Sequence, residues 1–203
     1  MRGVIAYDRY NTYKLVISQM DFTHYNTKPV DLALALVNTD QRPVGEDDEI
    51  NTLASLKTFL DDYSELWDGV AQPPKRQELT AIHDLRDELR AVITSADEQE
   101  ASERLNTVLS HNGASPRVST HNGSPHLHFE PQDSTMTSWL GATTAMGLAT
   151  VLVEHGINRF GSCHSTTCQD VFVDISRNRS RLHCSTQCST REAVIAHRIR
   201  NDT

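Results

Sequence analysis

The chain has 203 residues, 37% of them hydrophobic and 23% charged, a profile of a folded globular chain that excludes the depleted, highly charged composition of a disordered one. Its formal charge of −8 is unevenly spread. Residues 1–150 carry 12 Lys and Arg against 22 Asp and Glu, whereas residues 151–203 carry 7 Arg against 5 acids, so an acidic first part precedes a locally basic tail.

The N-terminal "MRGVIAYDRYNTYKLVISQM" breaks every apolar run with Asp8, Arg9 or Lys14, and has no small-residue cleavage site, so it does not read as a signal peptide. "KPVDLALALVNT" predicts a short, largely buried helix from Val30 towards Asn38, followed by an acidic loop, "GEDDE". "INTLASLKTFLDDYSELW" places Leu53, Leu56, Phe59 or Leu60, Tyr63 and Leu66 or Trp67 three and four apart. That spacing predicts one amphipathic helix capped by Asn51 or Thr52 and ended by Pro73-Pro74. "QELTAIHDLRDELRAVIT" repeats the pattern through Leu79, Ile82, Leu85, Leu89 and Val92. The next helix carries a Ser95–Glu98 capping box and stops at Gly113.

Between Pro116 and Pro131 the texture alternates around Asn122-Gly123 and predicts a small β-hairpin, on which His126, His128 and His121 read as either a solvated face or metal ligands. The second "HNG", at His111, is a coincidence, since nothing around it repeats. Ser134 to Val153 holds no charge for twenty positions, the length of a membrane span. Five Thr, two Ser and two Gly make it marginal for lipid and suited to close packing, so it reads as a buried helix ending at Gly156, in a cytoplasmic protein with no membrane partner.

All four cysteines fall in "GSCHSTTCQDVFVDISRNRSRLHCSTQCSTR", as Cys163-x4-Cys168, fifteen residues, then Cys184-x3-Cys188. Two close pairs separated by a short span suit a four-thiolate structural zinc site. Two disulfides would require an oxidising compartment. His164 and His183 then lie outside a shell that the thiols complete. "DVFVDIS" and "RLHC" read as the strands of a hairpin delivering Cys184, and Ser189–Glu192 as a capping box opening a helix just beyond Cys188. Knuckle, hairpin and helix describe a treble-clef-like finger. Its arginines, Arg177, Arg179 and Arg181 on the hairpin and Arg191, Arg198 and Arg200 on the helix, form a surface able to fork onto phosphates, or one that merely solubilises the finger and offsets the thiolates.

The run "C-x4-C-x-V-F-V-D-I-S-R-N-R-S-R-L-H-C-S" closely resembles the CGNR zinc finger, found behind mostly helical ABATE domains in bacterial, especially actinobacterial, stress-induced transcription regulators. "VDLALALVNT" and "LTAIHDLRDELRAVI" resemble motifs of ABATE itself. The resemblance implies a mainly α domain with a small β-hairpin (α+β) over residues 1–156 and a zinc finger over 157–203. It also implies one structural zinc on Cys163, Cys168, Cys184 and Cys188, and DNA-facing Arg177, Arg179, Arg181 and Arg191. Where the namesake has Cys-Gly-Asn-Arg, this chain has Cys188-Ser189-Thr190-Arg191, with the second knuckle one residue shorter. Ser189 favours an ordinary helix cap where glycine would permit a left-handed turn.

The expected function is a regulator binding double-stranded DNA, with an N-terminal sensor for a small molecule. The alternative is a protein-interaction adaptor that zinc only shapes. A zinc enzyme is not expected, because four thiolates leave no coordination position for water. Asn38, Trp67, Arg86 and Trp139 are the candidate ligand-binding residues, and a homodimer is the default assembly.

Overall fold

The structure, a computed structural model, describes residues 28–40, 48–67, 71–119 and 125–201. The reading of the first twenty residues as no signal peptide, most of the acidic loop, the Asn122-Gly123 turn and His121 lie outside the described residues, as do the side chains of His126 and His128.

Helix α1 (Lys28–Asn38) begins two residues earlier than expected because Pro29 suits the first turn, where its missing N–H costs nothing. It buries Leu32, Ala33, Leu36 and Val37. The single helix expected over 51–67 is two: α2 (Leu53–Asp61) and a one-turn α3 (Ser64–Trp67). The break has a local cause. The Leu60 carbonyl takes the Tyr63 N–H at 3.0 Å and the Trp67 indole N–H at 3.0 Å, which tightens the chain where a straight helix would have continued. At the start of α2, Thr52 and Ser55 cap each other's backbone.

Helices α4 (Glu78–Ile93) and α5 (Glu98–His111) present Ile82, Leu85, Leu89 and Val92, and Ala101, Leu105 and Val108, to one core. The capping box expected at Ser95 is not there. Asp97 accepts the Glu100 N–H at 2.9 Å, while the Ser95 hydroxyl donates back to the Ala91 carbonyl at 2.8 Å, so Ser95 finishes α4 instead of starting α5. Strands β1 (Ser115–Ser119) and β2 (His126–Glu130) pair antiparallel, with Ser115 opposite Glu130.

Helix α6 (Met136–His155) is long and apolar enough to cross a membrane, with a mean hydropathy of 1.3. It is instead the central helix of the bundle, packed against α1, α4 and α5 with Trp139, Leu140, Ala145, Leu148 and Leu152 buried. Its glycines explain the closeness. A Cβ on Gly147 would lie 2.9 Å from the Pro29 backbone, and one on Gly141 would lie 2.1 Å from the Asn112 side chain. Gly156, at φ 79°, ends the helix.

A single 3₁₀ turn (Ile157–Arg159) leads to β3 (Phe160–Ser162), which pairs antiparallel with β4 (Val171–Val173), and α7 (Thr186–Asn201) follows. The hairpin expected between "DVFVDIS" and "RLHC" is therefore a different one, because β4 takes β3 as its partner. Asp174 ends β4, its carboxylate accepting the N–H groups of Ser176 at 2.7 Å and Arg181 at 2.9 Å. The chain consequently folds into a loop before it can ladder. Val171 joins the bundle core, with Phe160 and Ile157 packed beside it.

Candidate metal centre and basic surface

The first two cysteines bracket a turn in which the Cys163 N–H bonds the Asp170 carbonyl at 2.8 Å and the Cys168 N–H bonds the Ser165 carbonyl at 3.2 Å. Cys184 arrives in irregular chain, held beside the knuckle by the His164 N–H to the Leu182 carbonyl at 2.9 Å. Cys188 lies inside the first turn of α7, which begins about a turn earlier than the sequence suggested, because Ser185 caps it by accepting the Cys188 N–H at 3.2 Å.

The four Sγ atoms lie within 4.8 Å of one another. Cys168 and Cys184 are 3.6 Å apart and Cys184 and Cys188 3.7 Å, with no disulfide among them. A tetrahedron with zinc–sulfur bonds of about 2.3 Å has an edge of about 3.8 Å, so the spacing fits a four-thiolate ion. All four positions are filled by sulfur, leaving none for a reactive water.

Electrostatics agree with a site that needs its metal. Burial pushes the Cys168 thiol up to about 12. Cys184 is raised as well, by burial first and then by the bond its Sγ makes to Asp170 at 3.2 Å. Cys188 is lowered, chiefly by the Ser185 hydroxyl. A divalent cation at the centre of the cluster would displace the protons that burial retains.

The residues just after the last ligand strap α7 to the first knuckle. Glu192 accepts the Ser165 hydroxyl at 2.7 Å and the Thr166 N–H at 3.1 Å, and Arg191 donates to the Thr167 hydroxyl at 2.7 Å. The Ser189–Glu192 capping box is thus not formed. Its glutamate serves the knuckle across the site, and the Ser165 bond holds the carboxyl below its usual range.

The ABATE model, described as "putative stress-induced transcription regulator", matches residues 30–155, and the CGNR zinc finger model matches residues 159–201. The chain belongs to the ABATE family. It carries a CGNR zinc finger whose four cysteines fit one structural zinc. No curated protein matches the sequence.

The seven arginines of this CGNR finger do not share one situation. Arg177 and Arg179 stand exposed at the tip of the loop after β4, with no side-chain partner among the described residues, and Arg198 and Arg200 are exposed on the last turn of α7. Arg181 is turned back onto the finger. Its guanidinium lies over the Phe172 ring at 4.9 Å and donates to the carbonyls of His183, at 2.8 Å, and Cys184. Arg191 is exposed but bonded to Thr167. Sequence reasoning missed Arg159, which donates to the carbonyls of Asp174 at 2.8 Å and Ser176 at 2.7 Å. It also missed Asp174 itself, an aspartate 4% exposed whose carboxyl is held low by the hydrogen bond from Ser176. Neither carries a spacing signal, although the buried acid follows directly on the apolar run "VFV".

The four candidate ligand residues of the ABATE part are not brought together. Trp139 is core and 4% exposed, and the Trp67 indole is occupied by the Leu60 carbonyl. Arg86 is 5% exposed and forks onto Asp48 at 2.9 and 2.6 Å, with the Thr39 hydroxyl at 3.2 Å. Burial opposes its charge, but Asp48, Asp40 and Asp87 outweigh burial and raise its pKa. Asn38 and Trp67 line different clefts: Asn38 an open one of about 410 Å³ shared with Thr39, Glu49, Phe59, Asp62, Tyr63 and Asp170, and Trp67 one of about 240 Å³ beside Lys57, Leu60, Asp61, Pro73 and Pro74.

Proposed function

We propose that the chain is a cytoplasmic DNA-binding transcription regulator in which residues 157–203 form the DNA-contacting unit and residues 1–156 the sensing unit. The observation that carries this reading is the exposed guanidinium set of the finger, Arg177, Arg179, Arg198 and Arg200, on a module built around a four-sulfur cluster. Guanidinium groups pair with phosphate oxygens, and each phosphate neutralised releases counterion. The family description supports a regulator, and the sulfur-saturated centre supports a structural ion in a protein that is not an enzyme.

The sensing reading centres on the cleft at the junction of α1, α2 and the finger. Its lining includes Asn38 and Tyr63 from the helical part and Asp170 from the finger, so a small molecule seated there would touch both units. A homodimer is the assembly we assign, on the general symmetry preference of regulators.

The test is binding of labelled duplex DNA to the zinc-loaded chain over a salt series. Affinity falling steeply with salt supports the regulator. A second reading, a protein-docking adaptor, is favoured by one observation: Leu182, Val194 and Ile195 of the finger are 53%, 44% and 36% exposed. No duplex affinity at low salt would select the adaptor.

A further inference from the structure

The loop between β4 and Arg181 is more tightly fixed than an exposed loop needs to be. The Asp174 carboxylate takes the Ser176 N–H on one oxygen and the Arg181 N–H on the other, closing the base. The Ser176 hydroxyl accepts the Ser180 N–H at 3.3 Å, and its carbonyl accepts the Arg179 N–H at 3.4 Å. From outside the loop, Arg159 holds the Asp174 and Ser176 carbonyls. At the tip Arg179 sits at φ 50°, the left-handed region that residues other than glycine seldom adopt unless their surroundings hold them there. No part of this framework touches a zinc ligand's sulfur. Its product is the outward placement of Arg177 and Arg179.

Helix α7 offers a contrast. Past Cys188 no residue of it is buried among the described residues, so Arg198 and Arg200 lie on an exposed stretch of helix, and Arg191 is occupied by Thr167. The backbone beneath Arg177 and Arg179 is fixed by the Asp174 and Ser176 bonds, so the loop itself loses little freedom when their side chains meet a partner. The charge of Asp174 is informative too. An anion among arginines weakens attraction for phosphate, so its presence there is explained by what its two oxygens hold.

We infer that the duplex contact of the finger is carried by the Ser176–Ser180 loop through Arg177 and Arg179, and that Asp174 and Arg159 are positioning residues that set this loop. The inference rests on the DNA-binding reading above. It makes a prediction of opposite sign to simple electrostatics: Asp174→Asn removes a negative charge next to the basic surface, yet weakens duplex binding.

The experiment uses the full zinc-loaded chain, a fluorescein-labelled duplex and anisotropy from low to moderate salt, with zinc content and thermal melting recorded for each variant. Asp174→Asn is expected to bind about tenfold more weakly. Ser176→Ala, which keeps both backbone N–H bonds to the carboxylate and all charges but removes the Ser176 hydroxyl, is expected to bind about threefold more weakly, and serves as the test if the asparagine variant fails to hold zinc. Arg177→Ala with Arg179→Ala is expected to lower the salt slope by about 2, and Arg198→Ala with Arg200→Ala to change affinity less than about twofold. Folded Asp174→Asn or Ser176→Ala binding as tightly as the parent overturns the positioning role. Loss confined to the α7 pair overturns the loop while leaving the DNA-binding reading standing. A parent chain that binds no duplex at low salt defeats that reading itself, and the inference with it.

Discussion

The Asn38 side chain pairs with both backbone groups of Val171, accepting its N–H at 2.9 Å and donating to its carbonyl at 3.0 Å, across 133 residues of chain. An amide at the end of α1 thus acts as a short strand edge for β4, and the strand in turn places Val171 in the bundle core. Arg90 adds a second tie, donating to the Gln169 carbonyl at 3.0 Å and the Val37 carbonyl at 2.9 Å. The finger is therefore coupled to the helices. Asn38→Leu leaves both Val171 groups part-buried without this amide, and a loss of about 2 kcal/mol is expected in urea unfolding. Removing zinc should lower the unfolding midpoint of the helices in the parent chain, and less so in this variant. Equal effects of chelation in both would mean that the tie carries no coupling.

Zinc affinity should rise steeply with pH. Cys168 and Cys184 both have raised pKa values, so at neutral pH the metal-free site holds their protons, and binding must release them. Lower pH therefore opposes binding, and two released protons correspond to about a hundredfold change in affinity per pH unit. Competition against a chromophoric chelator between pH 6.5 and 7.5 measures the slope. A flat profile would show that the thiols are already ionised without metal. Cys184→Ser should remove zinc altogether, because three sulfurs then remain around the site.

Glu192 affects the site from outside it. Its carboxylate fixes the Ser165 hydroxyl and the Thr166 N–H in the knuckle between Cys163 and Cys168. Glu192→Ala should weaken zinc by about tenfold, the scale on which groups that orient metal ligands act. Helix content should be unchanged, since the helix is capped by Ser185 and not by this residue. Chelator competition and circular dichroism on the same sample separate the two effects. If helix content falls and affinity does not, Glu192 is acting as the cap that the sequence suggested.

What was legible in the sequence was what depends on periodicity and ligand spacing. The apolar face of α4, the uncharged stretch that forms the buried α6, and the four cysteines all stand where pattern put them. What was not legible depends on long-range choice of hydrogen-bond partner. Ser95 and Ser189 each precede an acid by three residues, and neither forms the box, because Asp97 and Ser185 cap instead and the knuckle takes Glu192. Likewise β4 and Arg181–Cys184 both look like strands, yet β3 is the partner, a choice made by Asp174 and by Arg181 taking the carbonyls of His183 and Cys184. The scattered fates of Asn38, Trp67, Arg86 and Trp139 have the same origin, since residue type does not say which carbonyl or carboxylate a buried polar side chain will meet.

The reading of α6 as a core helix rather than a span can be tested at one atom. Gly147 faces Pro29, where an added Cβ would come within 2.9 Å of backbone in the first turn of α1, and backbone cannot swing aside as the end of a flexible side chain can. Gly147→Ala should therefore cost about 1–3 kcal/mol by overpacking, despite the better helix propensity of alanine. The Val153 side chain, 84% exposed one turn from the end of the same helix, provides the control. Val153→Ala should change stability by less than about 0.5 kcal/mol, as an exposed substitution does. Thermal or urea unfolding of the two variants decides it. A lipid-facing α6 would tolerate alanine at position 147, so a neutral Gly147→Ala would overturn the packing of this helix against α1.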